Sequence, residues 1–439
     1  MTFLGAIFVV AYAIGLFTKG RIGVLSVSAA AIPFNDSAAV VIGGIPITPF
    51  YLGMLIYLPL AYLRIGFPRP DFVLPWLLGL WGVVVTLTGP TVFAGMPVVA
   101  SGKGLDNQIG RWSELDYTTS NAAQMIYLFL NLALLMALAS SQDTKHWIPS
   151  IPAVVGTWVA AVMWLFREAG VPWPSELFAN SPRRTYASGA RLAGQFTEPS
   201  HLGAFALVSA VLLTVTVLIK QPRRALRVLY LLTIGADILL IVESEALTAL
   251  AGAGIFTILA LSWGLYRVLL RNAKIPIFLP FFLAVMVVAL PKVVEFTQGV
   301  IEYKFQARRS IAGRSSADAT SLQVFLDSGG FGVGLGSNRS SSMLLLLLST
   351  VGIVGTLIFF LLMGRAISDG LRDRSRLPFV AALIAILSAS LASLPDLVSP
   401  MTWLLVGFCW NSGQRGFNDE MIAHEGNRPK RPTNLDKAR

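Results

Sequence analysis

Apolar and polar residues fall along this chain in long blocks rather than short periods. Apolar stretches occupy residues 3–18, 22–34, 49–63, 72–89, 119–140, 147–166, 199–219, 225–242, 246–266, 275–291, 342–364, 377–394 and 397–411. Most approach the ~20 residues a helix needs to cross a bilayer. The pattern predicts an all-α polytopic membrane protein with about 12–13 transmembrane helices. Segment 22–34 is short and reads as a re-entrant piece or part of a broken helix. Segments 377–394 and 397–411 read as a tight hairpin through Pro395. The opening stretch has no basic leader and no small-residue cleavage site, so it reads as a first membrane helix. Residues 1–411 are expected to form a single transmembrane domain, followed by a polar, disordered cytoplasmic tail at 412–439.

Composition agrees with this reading. Of 439 residues 55% are hydrophobic and 13% charged, and the charged share is about half that of a soluble domain. The net charge of +11 raises the question of nucleic acid, but in a membrane protein basic loops set helix orientation. No nucleic-acid partner is expected. The one cysteine, Cys409, forms no intramolecular disulfide, and His146, His201 and His424 are far apart. No metal site is expected, because no Cys/His cluster exists in the sequence.

Placing the tail inside puts most of the 34 basic residues on inner connections, with "KQPRRALR" and "RAISDGLRDRSR" carrying the strongest signal. Long segments then lie outside at 35–48, 90–118, 167–198 and 292–341. Loops of that length are usually functional. Orientation does not explain their basic residues, among them Arg167, Arg191, Arg308, Arg309, Arg314 and Arg339.

Four constellations lie there. "SGGFGVGLGSNRSSSM" (Ser328–Met343) crowds glycines, including Gly334 and Gly336, ahead of Asn338, Arg339 and a leucine block. Its spacing is not that of a dinucleotide loop, and no P-loop lysine follows. A glycine turn, a helix N-terminus and an arginine suit an anion at the membrane interface; an ordinary flexible loop with an interfacial arginine is the equal alternative. "RLAGQFTEPSHLGAFAL" carries Arg191, Glu198 and His201 into the next helix. Glu198 reads as a capping acid or a base, and His201 more readily as an interfacial hydrogen-bonding residue. "LLIVESEALTALAGAGI" places Glu243, Ser244 and Glu245 at a helix–helix turn, where the acids are snorkelling turn residues or functional. "FQARRSIAGRSSADATSLQVF" is a basic, weakly amphipathic stretch suited to anionic headgroups, with Arg314 between glycine and serines.

The order of these pieces, ending in "LLLLLSTVGIVGTLIFFLLM", resembles the O-antigen ligase and Wzy-type polysaccharide polymerase superfamily. The resemblance covers roughly residues 190–365; the first half matches only as a run of helices. Ligases of that family typically end the large loop with a His-Asn pair. Here Asn338-Arg339 stands instead, which resembles the exopolysaccharide polymerases of the xanthan and succinoglycan type.

The resemblance implies an architecture like the GT-C glycosyltransferases, in the bacterial inner membrane, with the active site facing the periplasm. It implies a metal-independent enzyme with no cofactor, which transfers a growing chain from undecaprenyl pyrophosphate onto a new lipid-linked repeat unit. Its partners would be lipid-linked oligosaccharide donor and acceptor, membrane lipids and a chain-length-regulating co-polymerase. Arg191, Arg314 and Arg339 are the expected cations for the leaving pyrophosphate. Glu198 is the first choice of proton acceptor, with His201 and Glu243 behind it. His201, Glu243, Ser244, Gly334, Gly336 and Asn338 are the expected substrate contacts. A glycan ligase and a lipid-linked oligosaccharide flippase are the competing readings.

Overall fold

The computed structural model describes residues 1–42, 45–66, 72–100, 112–141, 145–171, 191–271 and 308–410. The expected segment 275–291 and the tail lie outside these residues. Helices dominate: α1 (Phe3–Ala31), α2 (Pro49–Ile65), α3 (Val73–Val92), α4 (Thr119–Ser140), α5 (Ser150–Glu168), α6 (Pro199–Lys220), α7 (Arg224–Ser244), α8 (Leu247–Arg271), α9 (Arg308–Asp327), α10 (Met343–Leu371), α11 (Leu377–Ser393) and α12 (Pro400–Cys409). Two small antiparallel pairs, β1 (Val40–Ile42) with β2 (Ile45–Ile47) and β3 (Pro97–Val98) with β4 (Ser113–Glu114), were not predicted. Among the described residues, eight helices are long and apolar enough to cross a membrane. This is the architecture of a multi-pass helical membrane protein.

Two of the expected spans take another form for physical reasons. Segments 3–18 and 22–34 form one helix interrupted at Gly20, whose backbone is left-handed (φ 56°). A Cβ placed on Gly23 would lie 2.1 Å from the Gly15 carbonyl oxygen. Eight residues of straight helix would separate those positions by about 12 Å, so the two arms fold back on one another. Helix α12 is only ten residues, yet every one of them is buried. Such a helix is about 15 Å long, half the bilayer core. It lives inside protein, packed on α4, α10 and α11.

Helix α6 is central and packs against α5, α7, α8 and α11. Proline at its first position suits the start, because that N–H has no helical partner. Helix α10 is broken at Gly352 (φ 66°). The basic stretch expected to lie along the surface is α9, which packs against α10. At one end of the bundle, the start of α6, the start of α10, the turn after α1 and the α11–α12 connection converge.

Candidate active site

The glycine stretch is held by protein along most of its length. Val333 N–H donates to the Ser349 carbonyl and Gly334 N–H to that of Thr350, each at 2.9 Å. Ile353 N–H returns the favour to the Gly330 carbonyl at 2.9 Å. These bonds satisfy backbone groups that the break at Gly352 releases from α10. Asn121, which closes the capping box of α4, donates through Nδ2 to the Leu335 carbonyl and the Ser337 hydroxyl, both at 2.7 Å. A Cβ on Gly334 or Gly336 would meet backbone of Thr86 or Ser120 at 3.0 and 2.7 Å. Asn338 is buried, donating to Ser321 and Ser349 and accepting from Val99 N–H. The side chains of Ser340 and Ser341 donate to Asp318 at 2.7 and 2.6 Å.

One charged group leaves this packed loop. The Arg339 guanidinium lies 3.8 Å from Glu198 Oε1, and the two side chains are 33% and 46% exposed. Two sequence stretches far apart in the chain thus meet at one ion pair. Glu198 occupies the N-cap position of α6, but its carboxylate caps nothing. It accepts instead from the Ser200 hydroxyl at 3.1 Å.

Beside Glu198, His201 Nδ1 is 3.3 Å from Asp36 Oδ2. The same oxygen accepts from Thr197 N–H at 2.8 Å and from the Thr197 hydroxyl at 2.9 Å. Burial pushes the Asp36 carboxyl up, but the hydrogen bond and charge of His201, with the Thr197 donors, outweigh it and hold it near about 2. Asp396 belongs to the same electrostatic neighbourhood. Desolvation raises it to about 6, eased by the Val398 N–H and by His201 and reinforced by Asp36. Its turn is fixed by the Val398 N–H bond to Asp396 (2.9 Å) and by Tyr51 and Asn131, both donating to the Val398 carbonyl. Asp36 and His201 keep 21% and 34% of their side-chain surface, and the Asp396 side chain is exposed. These groups are therefore partly accessible rather than sitting in the core.

The remaining predicted residues lie elsewhere. Arg191 Nε and Nη2 donate to the carbonyls of Ser244 and Glu245 at 3.1 and 3.0 Å. The guanidinium closes the end of α7, where carbonyls lack helical partners and a cation is favourable. Ser244 is buried, its hydroxyl donating to the Ile241 carbonyl. Glu243 pairs with Arg167. Arg314 donates to the Ser393 hydroxyl at 2.6 Å, tying α9 to the end of α11 three residues before Asp396. Arg339, Glu198 and His201 are therefore brought together, whereas Arg191, Glu243 and Ser244 form a separate helix-end cluster. Sequence reasoning missed Asp36 and Asp396. Each is the sole acid of its inter-helix turn, in "IPFNDSA" and "SLPDLVS", where aspartate passes as ordinary turn chemistry.

Among the described residues, no three His, Cys, Asp or Glu side chains come together as metal ligands. The arrangement offers one half-buried guanidinium, one imidazole and three carboxylates at a membrane-protein helix end. Such a set can bind an anion and move a proton. No protein-family model matches the chain, and no curated protein matches it.

Proposed function

We propose that this protein is a polysaccharide polymerase of the Wzy type. It joins repeat units carried on undecaprenyl pyrophosphate, in a GT-C-like helical frame, at the periplasmic face of the bacterial inner membrane. The observation that carries this reading is the Arg339–Glu198 pair at 3.8 Å. It unites the two stretches whose order resembles the polymerase superfamily, and it sets a cation beside proton acceptors. Both side chains are partly exposed, so a phosphate oxygen can reach the guanidinium.

Departure of the lipid pyrophosphate builds negative charge, which Arg339 stabilises at a fixed position. Arg314 supports the same wall from α9. Glu198 and His201 are the proton acceptors within this end; Glu243 is committed to Arg167. Asn338 is buried in structural hydrogen bonds, so the residue preceding Arg339 supplies no base. That favours the polymerase branch over a ligase using a histidine there.

The test is reconstitution. Purified protein in nanodiscs is given a lipid-linked repeat unit, without nucleotide and with EDTA, and products are resolved by size. A ladder of repeat lengths supports the polymerase. Unchanged substrate together with measured lipid flipping moves the protein to the flippase class, and transfer of a preformed chain to another acceptor moves it to the ligases.

A further inference from the structure

We propose that His201 is the general base of the transfer and that Asp36 is its positioning residue. This assignment rests on the polymerase reading above and sharpens it.

The argument begins with Asp36. A carboxylate can only accept, so the nitrogen facing it, His201 Nδ1 at 3.3 Å, carries the hydrogen. In the neutral ring the other nitrogen, Nε2, then holds the lone pair. Among the described residues Nε2 makes no hydrogen bond. Asp36 is fixed independently of the imidazole, because Thr197 N–H and Oγ1 both bind the same oxygen at 2.8 and 2.9 Å. Thr197 immediately precedes the N-cap of α6, and His201 lies in that helix's first turn. One turn of backbone therefore sets the distance between acid and ring. Asp36 is 21% exposed and His201 34%. The ring is held by Asp36 on one side and stays partly accessible.

Glu198 is less suited to the role. Its Oε1 faces Arg339 and its Oε2 accepts from Ser200. The charged groups around His201 are Asp36, Glu198 and Asp396, with Arg339 beyond Glu198. Three acids favour a cation at their centre, which is what the ring becomes when it accepts a proton.

The step balances as follows. The acceptor sugar hydroxyl gives its proton to His201 Nε2 as its oxygen bonds the anomeric carbon of the donor. The bond from that carbon to the pyrophosphate oxygen breaks, and its electron pair leaves with the lipid pyrophosphate beside Arg339. The imidazolium, neutralised by Asp36, later releases its proton to water.

The experiment measures initial polymerisation rates of full-length wild type, His201→Ala, Asp36→Asn and the double variant in nanodiscs, with a lipid-linked repeat unit and with or without added imidazole. His201→Ala is expected to fall about 10²-fold or more and to be partly restored by imidazole, which also shows that the variant is folded. Asp36→Asn is expected to fall at least about tenfold in kcat with little change in KM, and the double variant to be no slower than His201→Ala. Full rate in His201→Ala, no rescue by imidazole, or losses that multiply in the double variant would each overturn the dyad while leaving the polymerase intact. Wild-type protein that makes no product would overturn the polymerase reading itself, and this assignment with it.

Discussion

The loop at residues 330–339 and the turn at 196–201 invite opposite readings until their hydrogen bonds are followed. The loop has the glycines that suggest an anion cradle, yet its N–H groups at Val333 and Gly334 are spent on carbonyls of α10. The turn has an acid that suggests a helix cap, yet Glu198 caps nothing and faces Arg339 instead. The loop is thus scaffold that delivers one guanidinium, and the turn is where chemistry is offered. A polar group whose needs the protein already meets does structural work; a partly exposed charged pair can be reached by a ligand.

The largest expected effect breaks the scaffold half of this comparison. Gly352 adopts φ 66° and ψ −171°, a region essentially closed to other residues. A Cβ there would lie 2.2 Å from the Phe331 carbonyl oxygen. Gly352→Ala is expected to cost about 3–5 kcal/mol from backbone strain and the clash together. The measurement is recovery of monodisperse protein from detergent extracts and its thermal midpoint. Wild-type recovery and midpoint would mean the loop and the α10 break are not locked together.

Next comes a contrast between two arginines. Arg339→Ala is expected to lower polymerisation about 10²-fold, near 3 kcal/mol of transition-state stabilisation, with the protein still stable. Arg339→Lys should recover only part, because an ammonium lacks the planar fork. Arg191→Ala should instead cost about 1–3 kcal/mol of stability, from the carbonyls of Ser244 and Glu245 losing a donor, seen as a lower thermal midpoint. Rates and midpoints measured on the same preparations separate the two. If Arg191→Ala lost activity at unchanged stability, its guanidinium would belong with Arg339.

Much of the frame was legible because a bilayer imposes a simple rule on composition. The segments read at 119–140, 199–219 and 225–242 match α4, α6 and α7 to within two residues. The reversal at Gly20 was half legible, as two short segments with glycine and charge between them. The shared site was harder. Glu198, His201 and Arg339 stand out because they sit where long outer segments enter helices, and orientation does not explain the arginine there. That Arg339 meets Glu198, and that Arg191 turns back to the end of α7, depends on tertiary packing that no local pattern encodes. Asp36 and Asp396 went unread because a lone aspartate in a turn is commonplace, and only the third dimension places both around His201.

The smallest effect concerns Asp396, the third acid near His201. Asp396 is raised to about 6 because protein crowds its charged form, against an ordinary value of 3.8. The sign follows from linkage. Below about pH 4 the group is protonated whether the chain is folded or not. Between there and about pH 6 the folded protein holds a proton that the unfolded chain has released, so folding is favoured as pH falls. That contribution is fully present at low pH and lost as pH rises through 6. Because the side chain is exposed, solvent screening keeps the effect to about 1 kcal/mol or less. Asp396→Asn keeps an acceptor for the Val398 N–H but removes the charge. The variant is expected to be slightly more stable than wild type at pH 7.5 and equal to it below about pH 4, read as thermal midpoints in one detergent. A difference of the same size at both pH values would show that Asp396 does not titrate in this range. Three fixed negative charges would then surround His201, and the contrast between a satisfied loop and an electrostatically strained turn would be sharper still.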